Sequence, residues 1–225
     1  MSNERPRFKT QQEAVYFELR EAILRGKFQP GNSVTLRGVA EMLDVSLMPV
    51  RESLRRLTAE RALQLLDNRR IAVPTMSESR LEEIYITRFT LESFAAEKAM
   101  ANIDEAAMAK LEDINTLHNR AIAERDVENY IYLNFEFHRQ IYSYSGLEVI
   151  LPLIESLWLQ IAPFMRMISD RFAQEGDFDE SEDKHLEILE AIRKQNATRL
   201  KHLIQDDILD GVRIQQEMMG WGVSN

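Results

Sequence analysis

The 225-residue sequence contains no cysteine. That excludes disulfides, thiolate metal sites and cysteine nucleophiles together, and it suits a reducing compartment. Glycine and proline are scarce, at 8 and 6 residues, too few for an all-β chain with many tight turns. The opening residues, MSNERPRFKT, are charged and hold no apolar run, so no secretory signal is expected. The most apolar stretch, Leu147 to Met167, is broken by Glu148, Glu155 and Gln160 and does not qualify as a membrane span. No G-x-S-x-G, glycine-rich phosphate loop or H-E-x-x-H occurs, so no catalytic residue is nominated. These absences point to a cytoplasmic, mainly helical protein that is not an enzyme.

Hydrophobic residues make up 44% and charged residues 29%, the balance of a folded chain with room for one large domain or two small ones. The 10 methionines are spread along the chain, as fillers of helical cores rather than a cofactor box. The net charge of -9 is unevenly divided. Residues 1–75 hold 13 Lys and Arg against 9 Asp and Glu, and the remainder holds 15 against 28. A basic front and an acidic rear suggest a polyanion-binding module joined to a body with a different task.

In the front part, Thr10 can cap a helix carrying Val15, Leu19, Ala22 and Ile23 on one face and ending at Gly26. A short second helix carries Leu36, Val39, Ala40 and Leu43, and Ser46 opens a third with Pro49 in its first turn. Two apolar runs, Ala62 to Leu66 and Ile71 to Val73, flank Asp67-Asn68-Arg69-Arg70 and predict a hairpin with a basic tip. This order is that of a winged helix-turn-helix over residues 1–76. Residues 77–225 predict an antiparallel bundle of about six helices, at roughly 78–101, 104–124, 127–143, 147–168, 181–195 and 197–219. Gln174 to Asp179 reads as a loop.

On the third helix, Val50, Leu54 and Leu57 face inward, which leaves Met48, Arg51 and Arg55 together on a neighbouring face. Arg37, Arg69 and Arg70 add charge on the same side. The face is either a solvated basic surface or a reader of the DNA major groove, where arginine pairs bidentately with guanine. In the bundle, Arg88 falls inside the apolar stripe of its helix with Glu92 one turn on. An internal ion pair and a cation for the carboxylate of a small ligand are both open. Asn134 and His138 share an inner register, and His185 and Asp207 point inward from two further helices. They are either hydrogen-bonded core groups or ligands of a divalent metal such as Zn²⁺, Ni²⁺ or Mn²⁺. His118 and His202 are placed at the rim or surface, and the single E-x-x-H ending at His185 lacks the second copy that a di-iron bundle requires.

The segment "TLRGVAEMLDVSLMPVRESLRRLTAERALQLLDNRRIAVPTMS" resembles the winged helix of the GntR family of bacterial transcription regulators, most specifically through "DVSLMPVRESLRRL". The rear segments "YITRFTLESFAAEKAM", "YLNFEFHRQIY" and "DKHLEILEAIRKQNA" resemble the all-helical FCD ligand domain of its FadR-type subfamily. The resemblance implies a homodimer on an inverted-repeat operator, with DNA contacts at Arg37, Ser46, Leu47, Met48 and Arg51. It further implies a small organic-acid effector bound at Arg88, Asn134 and His138, and metal-ligand positions at Asn134, His138, His185 and Asp207. Leu47 stands where the family usually has Arg, and Asn68 replaces the usual glycine of the wing. Asn134 and Asp207 stand at ligand positions where the family has Asp and His. Two rival functions are a metalloenzyme built on the bundle, with the front module as accessory, and a DNA-binding structural protein with a filled, ligand-free bundle.

Overall fold

The computed structural model describes residues 8, 10–67, 70–175 and 184–221. Helix α1 (Gln11–Leu24) starts in a capping box: the Thr10 hydroxyl accepts the Glu13 N–H, and the Glu13 carboxylate accepts the Thr10 N–H. Val15, Leu19 and Ile23 are buried on one face. The helix stops in a Schellman turn, in which the N–H groups of Gly26 and Lys27 donate to the carbonyls of Ile23 and Ala22. Gly26 takes the required positive φ of 68°.

A short strand β1 (Ser33–Thr35) leads into α2 (Leu36–Met42), whose first turn is capped by Thr35. Helix α3 (Leu47–Ala59) follows, with Ser46 at the N-cap position but making no side-chain capping bond. Val50, Leu54 and Leu57 turn inward, and α3 packs on α1. Strands β2 (Gln64–Leu65) and β3 (Arg70–Ala72) complete an antiparallel sheet of order β1-β3-β2. Strand β2 is shorter than the apolar run predicted, because Ala62 and Leu63 are buried in the turn that precedes it, and β3 begins one residue before the predicted run. Strand β1 was not foreseen: three residues carry no periodicity, and only their pairing with distant β3 makes them a strand.

The rear part consists of α4 (Glu78–Ala99), a 3₁₀ turn (Met100–Asn102), α5 (Glu105–Ala123), α6 (Val127–Ser143), α7 (Ile150–Glu175), α8 (Lys184–Arg193) and α9 (Ala197–Met218). Ser77, Asp104, Asp126 and Asn196 each cap the helix that follows by accepting a backbone N–H. Helix α4 lies against α9, α5 against α6, α6 against α7 and α8 against α9. Helix α7 runs well past the expected end near Ile168, since its apolar repeat fades there while no helix breaker follows before Glu175. Most of the predicted loop Gln174 to Asp179 lies outside the described residues.

The front module rests on α6 and α7 through charged and polar groups. Arg20 pairs with Glu155 at 2.9 Å, and Arg25 donates to the Asn129 side chain at 2.7 Å while its guanidinium lies 3.9 Å from the centre of the Tyr132 ring. At Gly26 the Arg166 side chain packs so closely that an added Cβ would lie 2.3 Å from Arg166 Cβ. Gly26→Ala therefore meets both a disfavoured backbone conformation and a clash. It is expected to lower unfolding free energy by about 1–3 kcal/mol, read from urea denaturation.

Candidate functional site

Two sets of residues stand out, one on the front module and one inside the bundle. In the front module, Asp44 takes a left-handed conformation (φ 51°) in the turn between α2 and α3, which short polar side chains tolerate. The turn exposes the first residues of α3, and Leu47, Met48, Arg51 and Arg55 are all exposed. Arg37, exposed at the start of α2, shares a shallow depression with Ser46 and Leu47. Six of the eight residues nominated for DNA contact are thus exposed at the start of α2, in the turn or on α3. Arg69 lies outside the described residues. Arg70 departs from expectation: it is not at the wing tip but in β3, where Nε donates to the Ser33 hydroxyl at 2.7 Å and Nη2 to the Ser33 carbonyl. Its guanidinium ties the wing to β1. Arg56, on the same helix as the readers, is likewise committed elsewhere, stacked 3.7 Å over Tyr16 and bonded to Glu60.

Inside the bundle, Arg88 is 4% exposed and Glu92 fully buried, with Nε donating to Oε1 at 2.6 Å. The guanidinium lies over the Trp158 ring at 4.2 Å. Burial is the largest influence and would push its pKa down, but Glu92, Tyr85 and Tyr142 together leave it raised. The Tyr142 hydroxyl donates to Glu92 Oε2 at 2.8 Å and lies 3.2 Å from His138 Nδ1. Since that hydroxyl's one proton goes to Glu92, His138 Nδ1 must be the donor to it. His138 Nε2 then faces Asp207 Oδ2 at 3.3 Å. Arg88, Glu92, Tyr142 and His138 form a continuous hydrogen-bonded chain across α4 and α6, and Asp207 on α9 faces its end without a hydrogen bond to Nε2.

A second group joins it. His185 places Nδ1 3.0 Å from the Asn115 side-chain oxygen and Nε2 3.1 Å from that of Asn134. Its ring stacks on Phe137 at 3.9 Å. Burial pushes the pKa of His138 down to about 4 and that of His185 well below the usual range, so both rings are neutral near pH 7. Burial raises the pKa of Asp207, opposed by the Arg88 and Lys184 charges. His118 corrects the surface assignment. It is 5% exposed and lies 4.6 Å from the His185 ring and 5.0 Å from the Tyr130 ring. Its spacing of seven from buried Leu111 was the overlooked signal. His202 is exposed as expected.

Arg88, Asn134 and Asp207 open onto a cavity of about 280 Å³ whose wall also includes Tyr85, Trp158, Met165, Ile168 and Lys184. Lys184 is paired with Asp210 across α8 and α9. Asn115, Lys184 and the Tyr142 hydroxyl were missed as site groups: each belongs to a helix whose partner faces are set only by packing. The cavity is apolar on one side; the other carries Arg88 and Lys184, each paired with a carboxylate, together with Asn134, Asp207 and Asp210.

A winged helix-turn-helix with an exposed third helix, joined to a helical bundle around a polar cavity, is the architecture of a transcription regulator. The family model for bacterial regulatory proteins of the gntR family matches residues 11–73, and that for the FCD domain matches residues 83–209. The chain belongs to the GntR family and carries an FCD domain. It is 26% identical over 197 residues to the HTH-type transcriptional regulator McbR of Escherichia coli, covering 88% of this chain and 89% of that one. It is 27% identical over 225 residues to the gluconate operon transcriptional repressor of Bacillus subtilis, covering 92% and 88%. The solved structure of E. coli McbR/YncC superposes with a TM-score of 0.86 at 23% identity, over 94% of this chain and 100% of the other. These relatives are transcription regulators, not enzymes.

A metal in the FCD domain would need donors that converge. Here His185 engages an amide at each ring nitrogen, which leaves His138 Nε2 and the Asp207 carboxylate as the strong donors that face one another. Among the described residues no three His, Cys, Asp or Glu side chains gather closely enough to hold an ion. That donor set does not fit a tetrahedral or octahedral site. The buried ion pair is the more consequential feature. Glu92→Ala would strand the Arg88 charge and is expected to cost about 3–5 kcal/mol of stability in urea unfolding, whereas the neutral pair Arg88→Met with Glu92→Gln is expected to recover most of it.

Proposed function

We propose that the chain is an effector-responsive transcription regulator that binds an inverted-repeat operator as a homodimer. In this reading residues 1–76 hold the DNA and residues 77–225 bind the effector and dimerise. The reading helix α3 enters the major groove, where Arg51 pairs with a base and Arg37, Ser46 and Arg55 hold the backbone. Leu47 and Met48 are exposed apolar groups at the same tip and suit contact with thymine methyls. Arg51→Ala should cost about 1–3 kcal/mol of operator affinity in fluorescence anisotropy, with far less effect on nonspecific DNA. Unchanged operator binding would rule α3 out as the reader.

The effector is a small organic acid, and the observation that carries this is Arg88 in the cavity wall. Glu92 engages Nε and approaches Nη2 at 3.5 Å, and the Tyr85 hydroxyl also bonds the guanidinium; an incoming carboxylate would meet it at the cavity wall. Asn134 and Lys184 can bind further oxygens, and the Met165 and Ile168 side takes the apolar part. One relative is named for repression of the gluconate operon, and gluconate is a carboxylate. Occupancy reaches the DNA because α6 and α7 contact the cavity on one face and α1 on the other. Tyr132 and Asn134 sit on the two faces of α6, as do Arg166 and Met165 on α7. An acid that fits one arrangement of these helices better shifts the spacing of the reading helices.

A thermal-shift screen of mono- and dicarboxylates against the purified protein tests this, run with and without a chelator. The expected result is stabilisation by one class of acid that survives chelation and is lost in the Arg88→Met, Glu92→Gln variant, which still binds operator. A shift abolished by chelator and restored by Zn²⁺, Ni²⁺ or Mn²⁺ would instead establish a metal-assisted site. No shift with any acid would favour a filled, ligand-free bundle.

A further inference from the structure

The reading helix ends against the bundle. Helix α3 closes in a Schellman turn, in which the N–H groups of Arg61 and Ala62 donate to the carbonyls of Thr58 and Leu57. Arg61 holds the left-handed position of that turn at φ 58°, where glycine is usual. The next two carbonyls are bonded from the bundle. The Ser156 hydroxyl on α7 donates to the Glu60 carbonyl at 3.2 Å, and Arg80 Nη2 on α4 donates to the Arg61 carbonyl at 3.4 Å. The Arg80 cation thus sits at the negative end of the α3 dipole. Arg80 Nη2 also donates to the Gln160 side chain at 3.0 Å, and Gln160 donates to the Ser156 carbonyl at 3.3 Å, so the three bundle residues form one linked set.

On its other side the turn is fixed to the front module. The Tyr16 hydroxyl on α1 lies 2.8 Å from each Glu60 carboxylate oxygen, and Arg56 Nε donates to Oε1 at 3.0 Å. The Ser53 hydroxyl donates to the Gln12 carbonyl at 3.2 Å. Helices α1 and α3 are therefore locked into one body, and its seat on α7 is the adjustable part. Ser156 and Gln160 lie one turn apart on one face of α7. Trp158, between them, lies on the opposite face, where it covers Arg88 and lines the cavity. We propose that Ser156, Gln160 and Arg80 are positioning residues for DNA binding. They set the angle at which the bundle offers the reading helix, and so the half-site spacing that a dimer accepts. The proposal rests on the homodimer reading above and adds the contact that fixes the angle.

Inserting one base pair between half-sites turns one by about 34° against the other, so two rigidly seated reading helices accept one spacing. Fluorescence anisotropy of the full-length protein tests this on an inverted repeat selected from random duplexes, on the same repeat with its spacer lengthened or shortened by one base pair, and on the isolated half-site. Wild type is expected to prefer the selected spacer by about 10-fold or more, and Ser156→Ala with Arg80→Met to reduce that preference to about 3-fold or less. Half-site affinity should stay at the wild-type value. Ser156→Thr keeps the hydroxyl and should keep the preference, while Gln160→Met, which frees Arg80 without removing it, should give an intermediate loss. Circular dichroism confirms that each variant is folded. A wild-type chain that binds as a single copy would overturn the homodimer reading itself. A wild-type dimer indifferent to spacer length, variants that keep the full preference, or variants that lose half-site affinity in equal measure would overturn the positioning role alone.

Discussion

The buried pair of Arg88 and Glu92 is the constraint around which the bundle is arranged. A guanidinium this far from water is tolerated only with a carboxylate beside it, and a fully buried carboxylate in turn needs more than one donor. Glu92 obtains its second from Tyr142, and that bond dictates which nitrogen of His138 carries the proton. Trp158 on α7 covers the guanidinium from the other side. One ion pair within α4 thereby sets the positions of polar groups on α6, α7 and α9. The cavity exists because these groups hold the helices apart where an all-aliphatic core would close.

The attachment of the winged helix has the opposite character. Arginines at 20 and 25 meet acids, an amide and an aromatic ring beside an apolar core that continues from the front module into the bundle. Such contacts are individually weak and exchange readily with water. Gly26 is the junction's most restrictive point, since both the turn and the neighbouring Arg166 exclude a side chain there.

Much of the fold was legible in the sequence. The helices of the bundle announced themselves through apolar periodicity, because that signal depends on residues within a turn or two of each other. The inward register of Arg88, His138, His185 and Asp207 could be read from their place in each stripe. What could not be read was which nitrogen, amide or hydroxyl each would meet. His118 and Arg70 show why: one is buried by helices that arrive from elsewhere in the chain, and the other is claimed by a strand 37 residues away.

The sequence by itself determined the class of fold, the basic reading helix, the family and the presence of polar groups inside the bundle. These follow from local periodicity and from short motifs whose physical demands lie within a few residues. The tertiary structure alone decided that His185 is held between two amides, that His138 confronts Asp207, and that the cavity opens beside Arg88. The reason is the same in each case: hydrogen bonds across a bundle and the burial of a helix face depend on the distance and rotation between helices. Those quantities are set by the packing of the whole core, not by any stretch of chain within it.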